Sequence, residues 1–180
     1  MRDAKHALLF ICILMTAACS SVQVSDYTDK QPLFIPEEFF SGALVASGVL
    51  KDRSGRVTRR FTADINAYWR DDVGVLEEDF EFDDGELSRR VWTLTPTGGG
   101  RYRATAGDVV GDGEARTAGN AMFLDYVLRV PYKDSTIDLK IDDRMYLVTP
   151  DLLINESVMR KFGLRVGEIV LTIQRQNLGK

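Results

Sequence analysis

The sequence predicts an all-β, mainly antiparallel protein: a single lipocalin-like, calycin-type up-and-down barrel of about 8–10 strands, with one short helix in the C-terminal region. Three observations lead there. Apolar residues alternate with polar ones, the period of a half-buried strand, in run after run. Turn signals rich in Gly and Asp separate these runs at intervals of roughly ten residues. There is no βα alternation and no internal repeat, and closing an antiparallel meander removes the edges that an open sheet would expose.

The chain opens with a segment of another kind. Arg2 and Lys5 give a positive start, and Ala7 to Met15 form an uninterrupted apolar stretch, too short to span a bilayer comfortably as a helix. Thr16, Ala17 and Ala18 place small residues before Cys19, so residues 1–18 read as a lipoprotein signal peptide. The stretch resembles the bacterial lipobox, with Thr16 where Leu is preferred. That resemblance implies acylation of Cys19 by palmitate-like chains, cleavage before it, and a covalent tie to the membrane. Ser20 stands where an Asp would signal inner-membrane retention, so the expected location is the bacterial envelope, at the outer membrane and facing the periplasm. The alternative is a secreted protein cut after Ala18 with Cys19 as a free thiol, a liability in an oxidising compartment.

Removing the first 18 of 180 residues leaves 162, enough for one domain with a real core. Two of the 23 basic and one of the 27 acidic residues go with them, for a formal charge of −5. Such a chain has no basic stretch for nucleic acid. The only histidine, His6, and one of the two cysteines, Cys12, lie in the signal. Ser–His–Asp and Cys–His catalysis and His/Cys zinc sites are thereby excluded from the mature chain, and no disulfide can form within it. Carboxylate chemistry remains open. No cofactor and no protein partner is implied.

Residues 19–36 read as a lipid-anchored tether, containing Pro32 and Pro36 and closing on an apolar clip at Leu33, Phe34 and Ile35. Residues 37–180 form the barrel domain. Phe61, Ala63, Ile65, Ala67 and Trp69 alternate along one run, and Met122, Leu124, Tyr126, Leu128, Val130 and Tyr132 along another. Ile137, Leu139 and Ile141 do the same, as do Ile169, Leu171 and Ile173. The glycines of "FFSGALVASGVL" point to close packing. Turns are expected at Ser54-Gly55, Asp84-Gly85, Gly98-Gly99-Gly100 and Asp142-Asp143, the second as a type I′ hairpin. Asn155 capping "ESVMRKF" and Gly163 ending it predict the one helix.

Glu78 stands out among the polar residues. It shares a strand face with Leu76, Phe80 and Phe82 and so points inward, while Glu77, Asp79, Glu81 and Asp83 face solvent. Arg90, Trp92 and Leu94 share a face on the returning strand, and the register, or a bulge near Ser88, decides whether Arg90 meets Glu78. The pair reads either as a polar anchor for a ligand head group or as a structural cross-strand ion pair. Tyr68, Trp69, Trp92, Tyr102 and Tyr126 are core residues that also line any cavity. Residues 102–121 carry Asp108, Asp112 and Glu114 among glycines, but at spacings that fit neither an EF-hand nor a phosphate loop; a plain connecting loop is expected.

The runs "FFSGALVASGVLKDRSGRVTRRFTADINAYW", "LEEDFEFDDGELSRRVW", "YRATAGDVVGDGEARTAGNAM" and "NESVMRKFGLRVGEIVLTI" together resemble the DUF3833 family of proteobacterial envelope lipoproteins over nearly the whole mature chain. The family has no assigned function and brings no catalytic residues. The resemblance implies a lipid-related role, since such proteins often lie near genes of fatty-acid modification. The leading expectation is a lipoprotein that binds or shuttles a fatty-acid- or phospholipid-like ligand, held by Glu78, Arg90, Trp92, Tyr102 and Tyr126. The alternative is a structural or adaptor lipoprotein acting through its surface, with a filled interior. A third is cofactor-free isomerase chemistry with Glu78 as base, which requires that no arginine neutralise it.

Overall fold

The computed structural model describes residues 21–176, so the signal peptide expected over 1–18 and the lipidation expected at Cys19 lie outside the described residues. Ten strands form a closed antiparallel barrel. They are β1 (Gly42–Asp52), β2 (Val57–Arg70), β3 (Val73–Phe82), β4 (Leu87–Gly98) and β5 (Arg101–Thr105), followed by β6 (Gly113–Ala118), β7 (Ala121–Tyr132), β8 (Ser135–Thr149), β9 (Leu152–Lys161) and β10 (Leu164–Arg175). Each strand pairs with its chain neighbours, and β1 pairs with β10 from Leu44↔Arg175 to Asp52↔Gly167 to close the wall.

The alternating residues fill the interior as the period demands. Phe61, Ala63, Ile65 and Ala67 are buried on β2, and Met122, Leu124, Tyr126 and Leu128 on β7. Their outward partners form cross-strand ion pairs such as Arg129–Asp138 at 2.8 Å and Arg160–Asp142 at 2.6 Å, which are worth little individually. Gly48 faces inward under the Phe61 ring, where a β-carbon would come within 2.7 Å of Phe61 Cζ. The close packing expected of the first strand's glycines is therefore a large ring covering a bare backbone.

Turn chemistry follows the backbone more than the residue pair. The Asp84-Gly85 hairpin forms, but only Gly85 has positive φ (84°), and Phe82 bonds Gly85 and Glu86 across the turn. That is a type I turn followed by a left-handed residue, not the type I′ turn expected, and Asp52 to Arg56 repeats it around Gly55. The two-residue turn between β2 and β3 belongs to Asp71 and Asp72, at φ 51° and 62°.

Two further expectations are corrected. Asp142-Asp143 is no turn but the middle of β8, where Asp142 points out to Arg160 and Asp143 points in. The helix expected after Asn155 is strand β9, paired with β8 on one side and β10 on the other. Its local helix propensity loses because both neighbours supply backbone partners and because Leu153, Asn155 and Ser157 then share one buried face. Phe162 and Gly163, at φ 50° and 79°, make the next tight turn. A short helical turn comes early instead, as α1 (Pro36–Phe39).

The described part of the 19–36 segment lies against the barrel. A 3-10 turn over Val24–Tyr27 sets the Tyr27 ring 5.8 Å from Phe123 and 5.2 Å from Tyr146, on the outer wall. Phe34 N–H donates to Gly119 O at 2.7 Å, and of the apolar clip it is Phe34 that is buried, while Leu33 is exposed. Gly119 is the seat of this strap. A β-carbon there would lie 1.7 Å from the Tyr27 carbonyl oxygen, and φ is 51°. Gly119→Ala is accordingly expected to lift the strap and cost roughly 1–3 kcal/mol of stability. Limited proteolysis checks it: new cleavage between residues 21 and 33 is the expected result, and unchanged protection would remove the strap's dependence on Gly119.

Candidate functional site

One end of the barrel is plugged. Phe34, Phe39 and Phe40 pack with centroids 5.2–5.8 Å apart, Phe39 edge to face with both others, and all three are buried. Two side chains of the wall hold this plug: Trp69 Nε1–H donates to Phe40 O at 3.0 Å, and the Tyr102 hydroxyl donates to the Glu37 carboxylate at 2.9 Å. Tyr102 also meets Trp69 edge-on at 6.4 Å. Of the five residues expected to line a site, Tyr102 is thus placed elsewhere, as a tie for α1 rather than as a cavity residue.

Above the plug the interior is not filled. A cavity of about 120 Å³ remains, walled by Phe80, Trp92, Met122, Leu124, Ile169 and Leu171 among others. Glu78, Arg90, Trp92 and Tyr126 all line it. The β3–β4 ladder runs without a break from Gly74↔Leu94 to Glu81↔Leu87, so Glu78 sits directly opposite Arg90 with no bulge at Ser88. Trp92 meets Tyr126 edge to face at 5.1 Å.

Arg90 does not neutralise its opposite number by contact. Its Nε and Nη2 donate to Asp108 Oδ2 at 3.0 and 2.6 Å. Asp108 reaches it because the loop between β5 and β6 folds onto β7: Val110 N–H donates to Val127 O and Arg129 N–H to Asp108 O, each at 2.8 Å. Glu78 accepts no hydrogen bond among the described residues, and its remaining accessible surface faces the cavity. Burial pushes its carboxyl up from 4.5 to about 7; Arg90 opposes the shift, and Asp143 and Asp108 reinforce it.

A second polar group stands on the facing wall. Asp143, Asn155 and Ser157 are buried, and each lines the cavity. Asp143 Oδ1 accepts hydrogen bonds from Asn155 Nδ2 and, at 2.8 Å, from Ser157 Oγ. Burial raises the Asp143 carboxyl, and those two donors oppose it. The Tyr126 hydroxyl, held neutral by burial, lies within the field of Glu78, Arg90, Asp108 and Asp143. Sequence reasoning missed Asp143, Asn155 and Ser157. The signal was the alternation itself, which continues from Ile141 through Asp143 to Met145.

In fold the chain is similar to the S-type phycobiliprotein lyase of Guillardia theta, at 13% identity and a TM-score of 0.57, over 88% of this chain and 100% of that one. It is also similar to a protein of unknown function from the DUF3598 family of Nostoc punctiforme. There the identity is 16% and the TM-score 0.58, over 87% of this chain and 53% of the other. At these identities the likeness is one of fold alone. No curated protein matches the chain in sequence. A family model described as "Protein of unknown function (DUF3833)" matches residues 13–175.

Proposed function

The chain belongs to the DUF3833 family, and from that premise we propose that it is a bacterial envelope lipoprotein whose barrel binds or shuttles a small lipid-like apolar ligand. The lipobox-like stretch ending at Cys19 supports the anchor, and with it an outer-membrane address facing the periplasm. One observation carries the ligand reading: an apolar cavity left open around a carboxylate that accepts no hydrogen bond among the described residues. Packing alone selects against both, since voids forfeit contacts and buried charges forfeit hydration. A cavity near 120 Å³ suits a ring or the end of a chain, because an engineered apolar cavity of about 150 Å³ holds benzene.

The test uses the domain with Cys19→Ser, purified without detergent, with native mass spectrometry followed by organic extraction. A small apolar molecule bound one to one, and lost when Ala46→Leu fills the cavity, is the expected result. A bare mass that takes up neither fatty acids, phospholipids nor long-chain alcohols would overturn the reading in favour of a surface adaptor.

A second reading has an observation of its own. Cofactor-free acid–base chemistry needs Glu78 free of an arginine contact, and Arg90 is turned onto Asp108. The same extraction separates the two readings. A ligand recovered unchanged after prolonged incubation argues for binding, whereas an isomerised one argues for catalysis.

A further inference from the structure

The polar groups of the cavity are unbalanced in charge and in hydrogen bonding, and both imbalances have one sign. Three carboxyl groups, Glu78, Asp108 and Asp143, stand around Arg90, while Arg144, whose field also reaches Asp143, is bound to Asp125. Arg90 is already committed to Asp108 through two N–H donors. Acceptors are left over. Neither oxygen of Glu78 has a protein donor among the described residues, and both hydrogen bonds to Asp143 fall on Oδ1, leaving Oδ2 without one. An anionic head group would enter beside the Glu78 carboxyl and the Oδ2 of Asp143, with no free arginine fork to receive it.

We propose that the cavity selects apolar molecules with a cationic, hydrogen-donating head, that is, aliphatic or aromatic amines, with Glu78 as the counter-ion. The proposal rests on the ligand-binding reading above and deepens it. An ammonium brings three donors and no acceptor, the complement of what the wall lacks. The rings of Phe80, Trp92 and Tyr126 line the same space, and Arg90 lies 5.9 Å from the centroids of the first two, so this aromatic lining suits a cation. Arg90 stays on Asp108, where it holds the loop between β5 and β6 without competing for the head group. The groups that face Glu78 are Arg90 from β4, Asp108 from that loop, Tyr126 from β7 and Asp143 from β8. On β2 its neighbour is the apolar Ile65.

The head-group class makes a prediction about pH. An alkylamine stays charged to about pH 10, so its affinity follows ionisation of Glu78. The measurement is titration of the Cys19→Ser domain with decylamine, 1-decanol and decanoate, each below its aggregation threshold, read by tryptophan fluorescence and calorimetry at pH 5.5 and 8.5. With the Glu78 carboxyl at about 7, the ionised fraction and hence the affinity for decylamine rise about 30-fold across that interval. Decanol shows no such slope, and decanoate binds more weakly than either at pH 8.5. Glu78→Gln removes the slope and the preference for the amine, yet keeps decanol. If decanoate binds tightest, or if the amine slope survives in Glu78→Gln, the cationic assignment fails while the cavity reading stands. If none of the three binds, the cavity reading itself fails.

Discussion

At pH 8 the Glu78→Gln protein is more stable than its parent by up to about 3 kcal/mol, and near pH 5 the advantage has shrunk to about 1 kcal/mol or less. The folded protein holds the Glu78 proton up to about 7, whereas the unfolded chain releases it near 4.5. Between those values the native state binds more protons than the unfolded one, so stability falls as pH rises. A gap of this size at about 1.4 kcal/mol per pH unit gives the stated magnitude. The loss begins as pH passes 4.5 and is complete above 7. Glutamine keeps the shape and removes the charge, so this component of the pH dependence disappears with it. Urea denaturation at pH 5 and pH 8 measures it. Equal responses of parent and variant to pH would mean that Glu78 is hydrated in the native state. A gain in stability accompanied by loss of the amine preference would identify Glu78 as a residue kept for binding at the expense of stability.

Asn155→Leu has the opposite effect and costs about 3 kcal/mol where Asp143 is ionised. Asn155 is one of two side chains that donate to Asp143 Oδ1, and its Nδ2 also contacts Arg144 O at 3.4 Å. Leucine is well suited in size to the buried face of β9, so the penalty comes from what is left behind: a buried carboxylate with Ser157 as its remaining donor. The sign of the pH dependence separates this cause from a packing defect. Loss of a donor raises the Asp143 carboxyl further, so the variant recovers stability on acidification as that group protonates. A cavity or clash would cost the same at every pH. Thermal melts from acid to alkaline pH decide between them.

The barrel was legible because its signal is repeated: nearly every strand alternates, and a closed wall is the arrangement that serves them all. Glu78 was legible for the same reason, as one polar residue in step with Leu76, Phe80 and Phe82. The facing polar wall was not. Asp143 follows another aspartate, and Asp-Asp also makes turns, as Asp71-Asp72 does at positive φ. Asn155 stands before a helix-like heptapeptide, so its capping chemistry masked its inward position. In both cases a local preference competed with a pairing partner distant in sequence, and the partner won. Tyr102 was misplaced because alternation gives the face of a strand and not the height of a side chain along the barrel.

The seam between β1 and β10 sets how this chain reaches its fold. Every other pairing joins strands adjacent in sequence, so the sheet can assemble hairpin by hairpin at low contact order. The seam alone joins Leu44 to Arg175, and Gln176 N–H to Ala43 O at 2.9 Å. Its loop entropy is met only once, after the intervening strands have already shortened the path. Until then the first and last strands present bare edges, which makes the nearly complete chain the aggregation-prone species. The same adjacency leaves the two ends of the barrel side by side, so a permuted chain that joins them and opens at another hairpin tip would keep every rung of the wall.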